Sequence, residues 1–286
     1  MEKVKEVAQI LSEAKHLVVY TGAGISTSAS IPDYRGPQGL WTQMDQGVQA
    51  VALKDLEKTL PTFAHRAVTL LVEEGIVKYV TSTNLDGLHI ASGLKEEKLA
   101  ELHGNAYKES CESCHTNFHR PFDCTKQGTR RDHITGRKCD NCGGNLLDNI
   151  VNFGEQLPED HLENAEKNAK LSDVALVLGS SMLVSPACLL PPKAKTLIIV
   201  NLQSTPYDNK AITVRGKTDN FMRHLLKYLR IEGLEFYGGR EDWEEEHKEG
   251  IAVALQSQKE REEKRTAIEE AKRRNRENGV TVGYNI

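Results

Sequence analysis

Apolar and polar positions alternate between two rhythms over the first 230 residues. Val4, Val7, Ala8, Leu11 and Ala14 recur at helical spacing, so residues 2–15 predict a helix with one apolar face. The run "LVVYTG" (17–22) is short, β-branched and closed by glycine, which predicts a buried parallel strand. The pattern then repeats. A helix is predicted over 62–74, with Thr62 as its N-cap and Gly75 as its stop. Strands are predicted over 76–81, 173–181 and 196–203, and helices over about 159–171 and 218–229. The last helix follows the short apolar run Ile212-Thr213-Val214. Strands alternating with helices predict an α/β fold, a parallel sheet covered on both faces. Such sheets bind ligands beyond the carboxyl ends of their strands, so the polar residues after each strand are the candidates for function.

Two segments break the rhythm. Residues 109–144 hold five of the six cysteines and little periodicity, and read as an inserted module. Cys111-x-x-Cys114 and Cys139-x-x-Cys142 can each present two sulfurs from one turn, and together they close a four-thiolate zinc site. Four protein ligands leave no open position, so the zinc is expected to be structural. Cys124 lies off this pattern as a spare thiol, and Cys188 reads as core packing. His115, His119 and His133 could ligate metal, but four thiolates suffice. Residues 231–286 are dense in charge and poor in apolar residues, and predict a solvated helix or disordered tail.

Composition narrows the classes. A net charge of −4 and a pI near 6.2 argue against nucleic-acid binding through overall charge. The insert nevertheless carries Arg120, Lys126, Arg130, Arg131, Arg137 and Lys138 against Asp123 and Asp132, which leaves open a weak nucleic-acid or chromatin contact there. No apolar run approaches the ~20 residues that span a bilayer, so no membrane partner is expected. The N-terminal stretch is amphipathic and lacks the continuous apolar core of a signal peptide. A cytosolic or nuclear location follows, where paired cysteines read as metal ligands.

The first strand runs into Gly22-x-Gly24, where small residues let a phosphate approach the backbone. Thr27 stands where the usual dinucleotide fingerprint has its third glycine, and no acid follows at the expected distance, so an ordinary dehydrogenase is disfavoured. Asp33, Tyr34, Arg35 and Trp41 fall in a long loop suited to cover a ligand. Ser180, Ser181, Asn201 and Gln203 end two later strands, and Asn84 and Asp86 follow the strand at 76–81. Together these strand ends outline one crevice.

The segments "GAGISTSASIPDYRG" (22–36), "NLDGLH" (84–89), "LHGN" (102–105), the two CxxC pairs, "VNFGE" (151–155), "LGSS" (178–181) and "VNLQ" (200–203) complete the picture. In this order the chain resembles the sirtuin family of NAD-dependent protein lysine deacylases, over about residues 1–230 and most closely its nuclear branch. The resemblance implies a Rossmann-like NAD-binding domain made of 1–108 and 145–230, an inserted zinc module at 109–144, and a tail at 231–286. It implies NAD as co-substrate and one structural zinc on Cys111, Cys114, Cys139 and Cys142. It gives Ala23, Thr27, Asp33, Tyr34, Arg35 and Trp41 to the dinucleotide and its covering loop. Gly179, Ser181, Asn201, Gln203 and Thr218 would hold the adenosine end. Thr83, Asn84 and Asp86 would lie near the nicotinamide ribose and its pocket, and His103 would be the catalytic base, assisted by Asn84. Val151, Phe153, Gly154 and Glu155 would line the acyl-lysine tunnel. The implied reaction releases nicotinamide and O-acyl-ADP-ribose from an acylated lysine, on a histone or another nuclear protein. The peptide is expected to enter extended, by strand addition between the two domains. Protein mono-ADP-ribosylation and a weakly catalytic NAD-binding chromatin scaffold are the alternatives. Thr83 departs from the glutamine of the branch, which predicts weaker NAD use. The branch and the cluster "KRRNR" (272–276) point to the nucleus, with the cytoplasm as the other location.

Overall fold

The structure, a computed structural model, describes residues 1–33, 39, 59–127 and 132–234, with scattered helical positions from 256 to 274. Tyr34, Arg35, Trp41, Arg130 and Arg131 lie outside the described residues.

The predicted elements form close to their expected bounds. Helix α1 (Glu2–Glu13) buries Val4, Val7, Ala8 and Leu11. Strand β1 (Leu17–Thr21) is buried along its whole length. Helix α2 (Phe63–Glu73) starts at Thr62, whose hydroxyl accepts from the His65 amide at 3.3 Å, an N-cap that satisfies one otherwise free donor. Strand β2 (Val77–Ser82) leads to the short helix α3 (Leu88–Ala91) and then to β3 (Leu99–Glu101). Strands β4 (Lys108–Cys111), β5 (Asn117–His119), β6 (Ile134–Lys138) and β7 (Asn145–Asp148) follow. Helix α4 (Glu159–Leu171), strands β8 (Val174–Leu178), β9 (Thr196–Val200) and β10 (Ile212–Val214), and helix α5 (Thr218–Leu229) complete the chain.

Six strands form one parallel sheet in the order β10-β9-β8-β1-β2-β3. Read from β3, this is the 3-2-1-4-5-6 order of a Rossmann fold, whose direction reverses between β1 and β8. Successive residues of β1 face opposite layers. Leu17 and Val19 join α1, α2 and α5 in one core, while Val18 and Tyr20 join Ala165 and Ala169 of α4 in the other. Burial on both faces explains why these strands read as unbroken apolar runs.

The second sheet is antiparallel, in the order β5-β4-β7-β6. Residues Asn145–Asp148, placed by the sequence division in the main domain, pair here with β4 and β6. Among the described residues its apolar core is Cys111, Cys139 and Leu146, with Phe118 against them. The fully buried Glu109 carboxylate is held by Arg120 Nε at 2.7 Å and by Arg137 Nε at 2.8 Å. Two of the insert's basic residues are therefore engaged inside the module. Among the described residues no helix is long and apolar enough to cross a membrane.

Candidate active site

The loops after β1 and β8 meet at the point where the strand order reverses. The Gly24 amide donates to the Gly179 carbonyl at 2.8 Å, and the Gly22 amide to Leu178 at 3.1 Å. Gly179 has φ +63°, and a Cβ there would stand 2.4 Å from backbone atoms of Gly24 and Ile25. Glycine is the residue that permits both the conformation and the approach. The loop after β2 is stapled to the same place. Asn84 Nδ2 donates to the Gly22 carbonyl at 3.2 Å and to Ser26 Oγ at 3.3 Å. Ser26 Oγ donates to Asp86 at 2.6 Å, and the other Asp86 oxygen accepts from the Leu88 amide at the start of α3.

A cavity of about 290 Å³ opens over these loops. Its walls include Ala23 and Asp33, Thr83 and Asn84, His103, Gly179 and Ser181, and Asn201 and Gln203. Val151, Phe153, Gly154 and Glu155 close it on the side of the second sheet. Thr27, Asp86 and Thr218 are not in its walls. Thr27 Oγ1 donates to the Gly24 carbonyl, Asp86 holds the turn just described, and Thr218 is the buried first residue of α5. Residues that sequence reasoning passed over also line the cavity: Tyr20, Thr81, Leu157 and the stretch Met182–Ala187. Cys188 is half-buried: it packs against the core on the α4 side of the sheet, as expected, and also lines this wall. The stretch carried no usable signal, because an apolar cavity wall and a core segment look alike in sequence.

His103 is held at one ring nitrogen. Its Nδ1 lies 3.2 Å from the Thr83 carbonyl, which can only accept, so Nδ1 carries the proton and Nε2 the lone pair. Burial pushes its pKa below the ordinary 6.5, with the Thr83 carbonyl opposing that shift, so the ring is neutral at pH 7. The backbone around it is pinned from the second sheet. The Val151 amide donates to the His103 carbonyl at 3.0 Å, and Asn105 donates through its amide to Asn149 Oδ1 at 3.0 Å. Gly104, at φ +82°, has no room for a Cβ, which would fall 1.9 Å from the Asn149 carbonyl oxygen.

Beneath the loops lie two further imidazoles. His65 and His89 are 0% and 2% exposed, with ring centroids 4.8 Å apart. Burial pushes each pKa down to about 3. Both are neutral in the folded chain but take up protons on unfolding below pH 6.5, so stability falls as pH falls from 6.5 towards 3. The pair contributes at most about 5 kcal/mol of loss between pH 6.5 and 4.5. Glu101, pushed up to about 7 by burial, acts in the opposite sense. Urea unfolding of the wild type and of His65→Leu across this range isolates the histidine contribution. The variant should show a shallower loss, and parallel curves would contradict the assignment.

All four sulfurs of Cys111, Cys114, Cys139 and Cys142 lie within 4.8 Å of one another. Cys111 and Cys142 are 3.3 Å apart, and Cys114 and Cys139 3.6 Å. Tetrahedral ligands with Zn–S near 2.3 Å stand roughly 3.8 Å apart, so the cluster fits zinc. Gly144 leaves the space needed: a Cβ there would come within 3.1 Å of Cys111 Sγ. His119 instead meets Glu96 at 2.7 Å, and His133 bridges Asp148 at 2.9 Å and Glu155 at 3.2 Å.

A crevice at the reversal point of a Rossmann-order sheet, with a half-buried neutral histidine in its wall and a four-cysteine module beside it, is the architecture of a dinucleotide-binding class of α/β proteins. The chain belongs to the Sir2 family: the family model described as "Sir2 family" matches residues 48–186. The human NAD-dependent protein deacetylase sirtuin-7 is 45% identical over 243 residues, covering 80% of this chain and 60% of that protein. The Drosophila melanogaster NAD-dependent protein deacetylase Sirt6 is 36% identical, covering 82% and 78%. Arabidopsis thaliana SRT1, of the same description, is 40% identical over 80% of this chain and 50% of that protein. The chain thus spans between half and two thirds of the length of SRT1 and sirtuin-7. Among solved structures, a Sir2 with p53 peptide and NAD+ superposes with TM-score 0.62 at 32% identity, covering 78% of this chain and 97% of that one. A Sir2 with deacetylated p53 peptide and 3′-O-acetyl ADP-ribose gives 0.64 at 30%, covering 80% and 99%.

Proposed function

We propose that this chain is an NAD-dependent protein lysine deacetylase that releases nicotinamide and O-acyl-ADP-ribose. The observation that carries this reading is His103, a half-buried neutral imidazole with Nδ1 tied to Thr83 and Nε2 left as the base, in the wall of the crevice. NAD, when bound, supplies the ribose carbon that the acyl oxygen attacks. Ala23 and Gly179 offer close backbone approach to its phosphates. Ser181, Asn201 and Gln203 hold the adenosine end, with Thr218 behind them at the start of α5. Asn84, with both amide hydrogens engaged by Gly22 and Ser26, presents Oδ1 as its acceptor on the nicotinamide side. Asp86 fixes the turn that carries Asn84, and Thr27 fixes the loop that carries Ala23. Asp33 joins them in the wall. His103 Nε2 takes the proton of a ribose hydroxyl, and water then completes release of the lysine. Val151 and the 82%-exposed Phe153 offer apolar surface to the aliphatic stem of the acyl-lysine, with Gly154 and Glu155 beside them in the wall. The substrate is a histone or another nuclear protein, and the chain acts in the nucleus, a reading supported by the similarity to sirtuin-7 and the basic run 272–276.

Nicotinamide release from NAD, measured with an acetyl-lysine peptide and without it, tests this directly. Release that depends on the peptide, with O-acetyl-ADP-ribose in equal amount, is expected. No release, or transfer of ADP-ribose onto the peptide, would overturn the reading.

Thr83 adds a prediction about NAD use. Its hydroxyl donates to the Thr21 carbonyl at 3.2 Å, turned back onto the sheet. A longer glutamine gains reach toward the ribose. Thr83→Gln should raise kcat/KM for NAD about fivefold, one hydrogen bond's worth. A neutral or harmful result would make Thr83 an accommodated variant.

A further inference from the structure

We propose that His89 is a positioning residue for His103, acting through Thr21 and Thr83. The inference rests on the reading of His103 as the base. Its physical basis is an unbroken series of hydrogen bonds. His89 Nε2 lies 2.9 Å from Thr21 Oγ1, in the interior. The Thr21 carbonyl accepts twice from Thr83, from its amide at 3.1 Å and its hydroxyl at 3.2 Å. The Thr83 carbonyl in turn accepts from His103 Nδ1 at 3.2 Å. Thr21 is 2% exposed, so water does not compete for its hydroxyl. Fixing Thr21 at the end of β1 therefore fixes the peptide plane that selects the His103 tautomer.

The far side of His89 shows why a histidine there is hard to explain by stability alone. His89 packs edge-on against His65, whose Nδ1 lies 2.8 Å from Thr62 Oγ1. The Thr62 hydroxyl donates its own proton to the Ile25 carbonyl at 3.0 Å, so His65 donates from Nδ1. His65 Nε2 and His89 Nδ1 are then buried with no hydrogen-bond partner among the described residues. Buried polar atoms without partners cost stability, and an apolar side chain would avoid that cost. A ring that keeps one hydrogen bond, to Thr21, and tolerates an unpaired nitrogen points to a role for that bond. The ionisable groups acting on His89 are His65 and Asp86, and Asp86 is itself held by Ser26 and the Leu88 amide.

The test compares the full chain with His89→Phe, which keeps the ring and removes the bond, and His89→Gln, which retains a polar group to meet Thr21. His103→Ala identifies the His103 signals in imidazole NMR. In His89→Phe, kcat should fall about tenfold, with KM for NAD and peptide unchanged within about twofold. The His103 nitrogen shifts should move from the Nδ1–H toward the Nε2–H tautomer. The acid limb of kcat/KM should move to lower pH, because the Thr83 bond raises the His103 pKa. His89→Gln should restore most of the activity and the wild-type tautomer. A folded His89→Phe with unchanged kcat and tautomer would overturn the proposal, as would equal impairment of both variants. If His89→Phe does not fold, Thr21→Val removes the same bond at equal size and must show the same tautomer shift. If the wild type releases no nicotinamide, the deacetylase reading fails, while the tautomer comparison still decides the role of His89.

Discussion

His103→Ala should abolish NAD-dependent deacetylation, with kcat falling by about 10²–10⁴-fold, the usual contribution of a positioned general base. The loss should be chemical rather than structural. Among the described residues the side chain makes one hydrogen bond, from Nδ1 to Thr83, and the loop is held by its backbone: the His103 carbonyl accepts from Val151, and Gly104 packs on Asn149. Alanine keeps those contacts, so melting temperature and NAD binding by calorimetry should be nearly those of the wild type. The pH profile gives a second check with a defined sign. Burial holds the His103 pKa below 6.5, so the base is already unprotonated at pH 7. Wild-type kcat/KM should stay level as pH falls from 8 through 7 and decline only below about 6.5. His103→Ala should lose that decline together with the activity. Activity within a few-fold of wild type would remove His103 from the role of base.

The parts of the fold that could be read from sequence are those whose physics is local. Strands β1, β2, β8 and β9 are buried on both faces, so each is an unbroken apolar run. Thr62 and Gly75 mark the ends of α2 through their own side chain and conformation. The paired cysteines state their own geometry. Strand β3 was not legible, because three residues carry no periodicity. Strands β5 and β6 were hidden because they are largely exposed and bury almost no apolar surface. At the site, polar residues after a strand looked alike. Asn84 lines the cavity, whereas Asp86, two positions on, fixes the turn with Ser26 and Leu88. The His65–His89 contact was equally invisible, since two lone histidines 24 residues apart in sequence announce nothing until α2 and α3 pack together.

Removing the metal should disable the enzyme although no cysteine of the cluster touches the cavity. Among the described residues the apolar cluster of the antiparallel sheet is Cys111, Cys139 and Leu146, so two of its three members belong to the four-cysteine cluster. A module of that size has no apolar core able to offset its chain entropy, and structural zinc sites supply about 10–16 kcal/mol of apparent binding energy. Cys139→Ser should therefore lower bound zinc from one per chain to none and unfold 108–148, seen as lost amide protection across β4 to β7. The six-stranded sheet has its own two cores and should keep its protection. The effect reaches His103 through Asn149 and Val151, which leave the module at β7 and hold the histidine loop by backbone contacts. Deacetylation should fall below about one hundredth of wild type, as expected when a base is displaced from its working geometry. A chelator with high zinc affinity should reproduce the loss in the wild type, and zinc added back should restore it. Full activity in the zinc-free protein would show that the histidine loop holds its geometry without the module, and would separate the cluster from catalysis.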